Sequence, residues 1–450
     1  AEERSTGAGV EEAMRKALYK SFSSIAASAL TTVAGFVALM FMRYRIGMDM
    51  GIVMAKGIAF SLISVILLLP AMAIFGDKLI ERTQHRPFLP SFKKFGKAVI
   101  KLKFVIIVLM LIIIIPAFRA QSANHFLYGE SSIALSEGSR LSRDEAEITD
   151  IFGSYNPIVL LVPSGHIAKE DALARNLEDL EAVDTVSALV TLADTAIARE
   201  MLPQTVTSRF ESAHYSRMII TLNTDVESEA AFAAVDRISG LADSYYGEKA
   251  LLIGASPSTQ DIKTVVEADF SRVNFISILA VALILLFTFH SLLLPVLLIL
   301  VIESSIWINM SIPYFTASTL NFIGYMIVSS VQLGGTIDYA ILLTNRYMDN
   351  RKTLPKKEAV AKAISDSGRS ILTSALILGS AGFILGGVSS IAGISELGVL
   401  IGRGAILSSL LVFLFLPQLL VIFDKAVRWT TLKEETAGRL FKRKGNGKKS

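Results

Sequence analysis

Hydrophobic and polar positions alternate along this chain in long blocks. Eight windows run about 18 residues or more with hardly a charge, roughly 23–42, 51–75, 104–118, 273–289, 292–310, 319–344, 370–387 and 398–423. The third is short unless its lysine-bearing start from Val99 is included. At 1.5 Å per residue such windows cross a hydrocarbon core of roughly 30 Å, so the pattern predicts a mostly α-helical integral membrane protein with about eight spanning helices. Between the third and fourth windows, a polar stretch over 119–271 is long enough for a domain of its own.

Inside that stretch the period changes. "NPIVLLV" (156–162) and "VDTVSALV" predict strands on either side of a helix from Lys169 to Glu181; "YSRMIITL" (215–222), a helix from Ser228 to about Tyr246 and "KALLIGA" repeat the order. Two β-α-β units in this order read as the split β-α-β arrangement of an α+β domain. His125, His166 and His214 are scattered through the region and read as surface or loop histidines rather than metal ligands.

An internal repeat organises the helices. "EAMRKALYKSFSSIAASAL" from Glu12 aligns with "EAVAKAISDSGRSILTSAL" from Glu358, and the match resumes after one inserted residue through Gly51 and Gly398, Gly57 and Gly404, Pro70 and Pro417 to Asp77 and Asp424. Each copy reads as an amphipathic helix followed by a membrane hairpin, so the repeats are parallel. Ala1 aligns with Tyr347, and three helices and the polar domain precede the second copy only. The expectation is the C-terminal part of a twelve-helix protein whose missing N-terminal half is its partner, the alternative being a genuine eight-helix protein.

Hydrophobic residues make up 52% of the 450 and the mean hydropathy is +0.53. The net charge of +4 conceals an asymmetry: Arg119 to Ser271 holds 11 basic and 24 acidic residues, a balance of −13 that leaves +17 elsewhere. The cations concentrate in 1–22, 77–103, 345–369 and the tail after Asp424. With those on the cytoplasmic side, the positive-inside rule puts 119–271 outside the cell membrane, Arg43 and Arg45 being minor violations. The expected domains are therefore a cytoplasmic amphipathic helix (1–22), a hairpin (23–77), a basic cytoplasmic linker (78–98), a spanning helix (99–118), the extracytoplasmic domain (119–271), five spanning helices (272–424) and a basic tail (425–450). The tail reads as a topology anchor that meets anionic membrane lipids, not as a nucleic-acid binder. With no cysteine, an exported domain has no disulfide to hold it.

Two carboxylates stand inside apolar windows, Glu303 in 292–310 and Asp338 in "QLGGTIDYAILLTNRY". Ser330, Gly334 and Asp338 fall on one helix face, with Gln332, Gly335 and Tyr339 on the adjoining face. The glycines, Gly334 and Gly335, let another helix approach, which makes this an interior surface. A carboxyl where water is scarce can load and release a proton, and the Tyr339 hydroxyl can hydrogen-bond to it or to its neighbour. The structural alternative is an aspartate satisfied by helix ends at a Gly334–Gly335 break. Glu303 reads equally as a relay or substrate-path residue and as a residue near a bilayer surface. Asp49 with Lys56 and Glu396 with Arg403, seven apart in both copies, read as snorkelling or structural pairs. Gly379, Gly382 and Gly386 read as packing glycines, and Ser370, Thr373 and Ser374 as hydroxyls within reach of the Asp338 helix.

"GGTIDYAILLTNRYMDNR", followed by a short amphipathic helix and "SILTSALILGSAGFILGG", resembles the MMPL family within the RND superfamily of transporters, and the likeness covers essentially the whole chain. The resemblance implies one exported α+β porter-type domain and a secondary transporter with two Asp-Tyr pairs, one per repeat, forming a proton relay. Asp338 and Tyr339 match the second pair; the first would precede Ala1, so this stretch alone is not expected to transport. Gln332 and Ser374 join Glu303 as candidates for the relay or substrate path. The expected function is proton-driven export of lipids or hydrophobic and amphiphilic small molecules, with no enzymatic activity, cofactor or metal. The alternatives are a sterol-sensing-domain-like lipid receptor, whose disulfide-rich exported domains are absent, and a protein-translocation accessory. The chain carries no phosphate-binding Gly-x-x-x-x-Gly-Lys-Ser/Thr loop and no second membrane aspartate for a protease.

Overall fold

The computed structural model describes residues 9–83, 91–129, 140–153 and 155–431, so the basic tail "FKRKGNGKKS" and the first residues of the expected N-terminal helix lie outside the described residues. In chain order, the helices α1 (Val10–Leu39), α2 (Arg45–Phe75), α3 (Asp77–Arg82), α4 (Lys93–Lys101) and α5 (Lys103–Gln121) come first. Next follow α6 (Arg140–Phe152), β1 (Asn156–Pro163), α7 (Ile167–Glu178), β2 (Val183–Ser187), α8 (Leu189–Leu192), α9 (Gln204–Phe210), β3 (Tyr215–Leu222), α10 (Glu229–Tyr246) and β4 (Leu251–Gly254). The chain ends in α11 (Ala255–Phe289), α12 (Leu293–Phe315), α13 (Phe322–Arg351), α14 (Lys356–Val388), α15 (Ala392–Leu414), α16 (Leu416–Ile422) and α17 (Asp424–Thr430).

Eight of these stretches are long and apolar enough to cross a membrane: α1, α2, α5, α11, α12, α13, α14, and α15 with α16. Several helices outrun the apolar windows. The amphipathic stretch expected to stand apart before each hairpin is continuous with the spanning helix in both copies, as α1 and α14, because no proline interrupts either stretch. Conversely, the helix expected over 99–118 is divided: α4 ends at Lys101 and α5 begins at Lys103. α13 runs unbroken through Gly334 and Gly335, which removes the alternative of a helix break there that would satisfy Asp338.

Two compact units result. One comprises Phe126–Glu267 with Ser390–Gly393, the other the remaining helices. The first is an α+β unit built on a four-stranded antiparallel sheet of order β2-β3-β1-β4, in which β3 separates the two strands of the first β-α-β unit. Alternation sets its core: Ile158, Leu160 and Val162 of β1 and Met218, Ile220 and Leu222 of β3 are at most 1% exposed and pack on Leu173 and Leu177 of α7 and Ile238 of α10. Ser228 caps α10 by accepting from the Ala231 amide at 3.1 Å. Gly247, at φ 60°, ends α10 in a backbone conformation that glycine adopts without strain. "VDTVSALV" is strand only to Ser187; Thr191 turns the remainder into α8 by accepting from the Ala188 amide at 2.9 Å.

In the helical unit, α13 is the most enclosed element, with 78% of its most apolar window buried, whereas none of the window of α2 is. Most polar side chains buried inside find a partner. Asp269 accepts from the amides of Arg43 at 2.6 Å and Tyr44 at 3.0 Å, holding the α1–α2 turn, and Glu396 accepts from the amide of Asn321 at 3.0 Å, at the start of α13.

Candidate functional site

The Asp338 face of α13 packs on α1. A β-carbon on Gly334 would lie 3.0 Å from the Thr32 α-carbon, and one on Gly35 would lie 3.0 Å from the Ser330 carbonyl oxygen, so both helices need glycine to meet at this distance. Thr32 Oγ1 seals the contact by donating to the Gly334 carbonyl at 2.8 Å. One turn further along α13, Asp338 faces a cavity of about 330 Å³ whose wall includes Ser24, Ser28 and Thr32 of α1 and Ser61 and Val65 of α2. Its Oδ1 is buried with no hydrogen-bond partner among the described residues. A desolvated, unpaired carboxylate is expensive, whereas a protonated carboxyl, or one whose charge is met by a mobile partner, is not.

Gly335 does not share the role of Gly334. A β-carbon there would meet nothing within 4 Å. Tyr339 is 2% exposed and its hydroxyl hydrogen-bonds with Ser374 of α14 while lying within reach of the Asp338 charge. Successive residues of a helix project about 100° apart, so the two side chains of the pair address different neighbours. Of the two expected uses of the Tyr339 hydroxyl, a bond to Asp338 or to a neighbouring group, the second is the one seen among the described residues. Gly379, Gly382 and Gly386 do lie in a close helix contact: β-carbons on Gly382 and Gly386 would fall 2.5 Å from the Gly402 amide nitrogen and 2.7 Å from Val399, both on α15.

Gln332 lies elsewhere again, at the centre of a polar network joining α12, α13 and α15. Its Oε1 accepts from Asn309 Nδ2 at 2.9 Å, and its Nε2 donates to Ser305 Oγ at 3.0 Å and Ser408 Oγ at 3.1 Å. Thr336 Oγ1 donates to Ser408 Oγ at 2.9 Å. Arg403 enters the network through Asn309, donating to its Oδ1 at 2.7 Å and its carbonyl at 2.9 Å. Gly404 is required because a β-carbon would lie 2.5 Å from Gln332 Oε1. Arg403 therefore binds an asparagine, and Glu396, which binds a backbone amide, forms no ion pair with it among the described residues. The first copy lacks this arrangement: Asp49 and Lys56 are both exposed. Glu303 is 6% exposed on α12, within the helix packing, and its Oε1 has no partner among the described residues.

A second ionic cluster joins the far end of α13 to α17. Arg351 makes a two-pronged contact with Asp424, Nε to Oδ1 at 2.9 Å and Nη2 to Oδ2 at 3.1 Å, and the Tyr347 hydroxyl donates to the same Oδ1. The repeat had marked Asp424, and Tyr347 lies in the quoted "GGTIDYAILLTNRYMDNR". Their meeting was illegible because 77 residues separate them. Among the described residues, no cluster of histidines and acids of metal-binding size occurs.

Comparison with known proteins accords with this architecture. ActII-3 of Streptomyces coelicolor is 32% identical over 167 residues, which cover 36% of this chain and 23% of that protein. SCO0839 of the same organism is 27% identical over 199 residues (43% and 28%), and YdgH of Bacillus subtilis 23% identical over 232 (47% and 25%). All three are described as membrane proteins, and the match spans less than a third of the length of each. The model of the MMPL family matches residues 1–88 and 157–448, which take in α1 and α2, most of the α+β unit and the whole of the Asp338 helix. This chain, with eight apolar helices among its described residues, belongs to the MMPL family of membrane proteins.

Proposed function

We propose that the protein containing this chain is a proton-driven secondary transporter of the RND superfamily that exports lipids or other hydrophobic and amphiphilic small molecules across the cytoplasmic membrane. The single observation that carries the reading is the Asp338 carboxylate, with a buried and unpartnered oxygen, at a cavity between α1, α2 and α13. Such a group is stable when protonated and costly when charged, so its occupancy can be tied to how the surrounding helices pack. α1 contacts α13 through a glycine face, the Thr32–Gly334 hydrogen bond and a bond from Asn345 Nδ2 to Ser24 Oγ at 2.7 Å, and these are the contacts a change of charge on Asp338 would disturb. Tyr339 and Ser374 line the α14 side of the same helix. Glu303, buried on α12 with one carboxyl oxygen lacking a partner among the described residues, is a second protonatable group, whereas Gln332 is a fixed structural tie.

Sidedness follows from charge. The acidic α+β unit faces outward, where it acts as a porter-type domain, and the basic ends face the cytoplasm. Each proton falling through 100 mV releases about 2.3 kcal/mol, so a few per cycle sustain modest gradients. The test is export by the complete protein in liposomes against a panel of lipids and dyes. A proton gradient should drive accumulation of at least one of them, and dissipating the gradient should stop it. Undiminished export after dissipation would refute the proposal.

A further inference from the structure

Four lysines of α4, Lys93, Lys94, Lys97 and Lys101, have no role in the site described above. At about 100° per residue they fall within an arc of about 100° on one side of the helix. Gly96 and Val99, on the other side, are buried. All four lysines are exposed, and among the described residues none makes an ion pair or hydrogen bond through its ammonium group. Asp366, an acid on the adjoining helix α14, is engaged by Asn350 Nδ2 at 3.4 Å.

The helix that carries them is pinned. A β-carbon on Gly96 would lie 2.7 Å from the Ala361 carbonyl oxygen of α14, and one on Gly368 would lie 2.7 Å from the Phe92 ring. Phe92 stacks on Phe413 of α15 at 5.6 Å, and Gln418 Nε2 of α16 donates to the Val99 carbonyl at 3.0 Å. A single residue, Leu102, separates α4 from the spanning helix α5, so the lysine row is held within a turn or two of the hydrocarbon boundary. Leu102 and Phe95 beside it are exposed large hydrophobic residues. A fixed basic face at that depth, flanked by apolar side chains, complements a surface of anionic headgroups.

We propose that the lysine face of α4 is a binding site for the phosphate headgroups of anionic lipids in the adjacent leaflet. α4 thereby becomes an interfacial anchor whose occupancy is felt by α14 and α16.

The test uses the full chain in phosphatidylcholine bilayers, with the fraction of motionally restricted lipid read by spin-labelled phosphatidylglycerol and by spin-labelled phosphatidylcholine. A basic residue at an anionic surface changes association by roughly fivefold. The preference for phosphatidylglycerol should therefore fall by about twofold or more in K93Q/K94Q/K97Q/K101Q and persist in K93R/K94R/K97R/K101R. An unchanged preference in the glutamine variant overturns the proposal, as does its loss in the arginine variant, which would reveal a packing effect and not charge recognition. Inorganic phosphate should leave the preference as it is when matched against chloride of the same ionic strength. A loss specific to phosphate would assign the lysines to a soluble anion and overturn the lipid site. Retention on the native chain of an acidic protein or RNA that anionic vesicles fail to displace would do the same.

Discussion

Adjacent glycines in α13 make opposite predictions. An alanine at 334 places its β-carbon 3.0 Å from the Thr32 α-carbon and 3.3 Å from the Thr31 carbonyl oxygen, both backbone atoms that can yield only if α1 moves. Carbon atoms prefer about 3.5–4.0 Å, so α1 must retreat by roughly half an ångström or more, an overpacking cost of about 1–3 kcal/mol. The Thr32–Gly334 hydrogen bond of 2.8 Å lengthens with it, at about 0.5–1.5 kcal/mol. Against this stands the gain of replacing a helical glycine by alanine, about 0.5–1 kcal/mol. The net for Gly334→Ala is a loss of about 0.5–4 kcal/mol. For Gly335→Ala only the gain remains, because nothing lies within 4 Å of the new carbon. Equilibrium unfolding of the full chain in mixed micelles, titrated with a denaturing detergent, reads both variants against the native chain. Stabilities for the two alanines within about 0.5 kcal/mol of each other would refute the packing of α1 on α13 at Gly334.

Further tests address the other clusters. Gln332→Leu leaves Asn309, Ser305 and Ser408 short of partners and should cost about 1–3 kcal/mol in the same titration; no loss would mean that the network adds nothing to stability. At Asp424, burial raises the carboxyl pKa, but hydrogen bonds from Arg351 and Tyr347 outweigh it and hold the group below the ordinary carboxylate value. The stability it contributes is present above the unfolded value of about 3.9 and is lost as pH falls through the lowered folded value. Arg351→Met should therefore cost about 2–3 kcal/mol at neutral pH, less than a fully buried pair because Arg351 is 22% exposed, and the deficit should shrink on acidification below about pH 4. A deficit independent of pH would exclude the ion pair. Tyr246 in the α+β unit is pushed up to about 12 by burial and then by the Glu170 charge, and its hydroxyl has no partner among the described residues. The stability of its neutral form is full below the unfolded value of about 10 and is lost as pH rises past about 12. Tyr246→Phe should be neutral within about 1 kcal/mol at pH 7 and more resistant to alkali; equal alkaline sensitivity would contradict this.

Local periodicity told most of the architecture. The eight apolar windows match the eight long helices to within about three residues wherever a window outruns its helix, the last spanning α15 and α16, and the alternation in "NPIVLLV" and "YSRMIITL" marks the two central strands of the sheet. Less legible were the ends: charged first turns continue α1 and α14 without a break, because nothing between the amphipathic and apolar parts stops a helix. At the site, Asp338 stood out because a carboxylate in an apolar window is conspicuous. The divergence of Tyr339, the different surroundings of Gly334 and Gly335, and the assembly of Gln332 with Asn309 and Arg403 depend on which helix lies against which face. Sequence spacing gives the face but not the neighbour. Arg403 shows the limit well: its seven-residue spacing from Glu396 pointed to a pair, yet asparagine on another helix is its partner.

The central claim is that Asp338 gains and loses a proton as cargo moves. Its most direct test is proton flux into liposomes containing the complete protein, recorded with substrate present, for the native chain and for Asp338→Asn. Substrate-dependent proton entry should be seen with the native protein and abolished in the asparagine variant, whose unfolding curve should match the native one. Proton entry that survives the substitution would contradict the account.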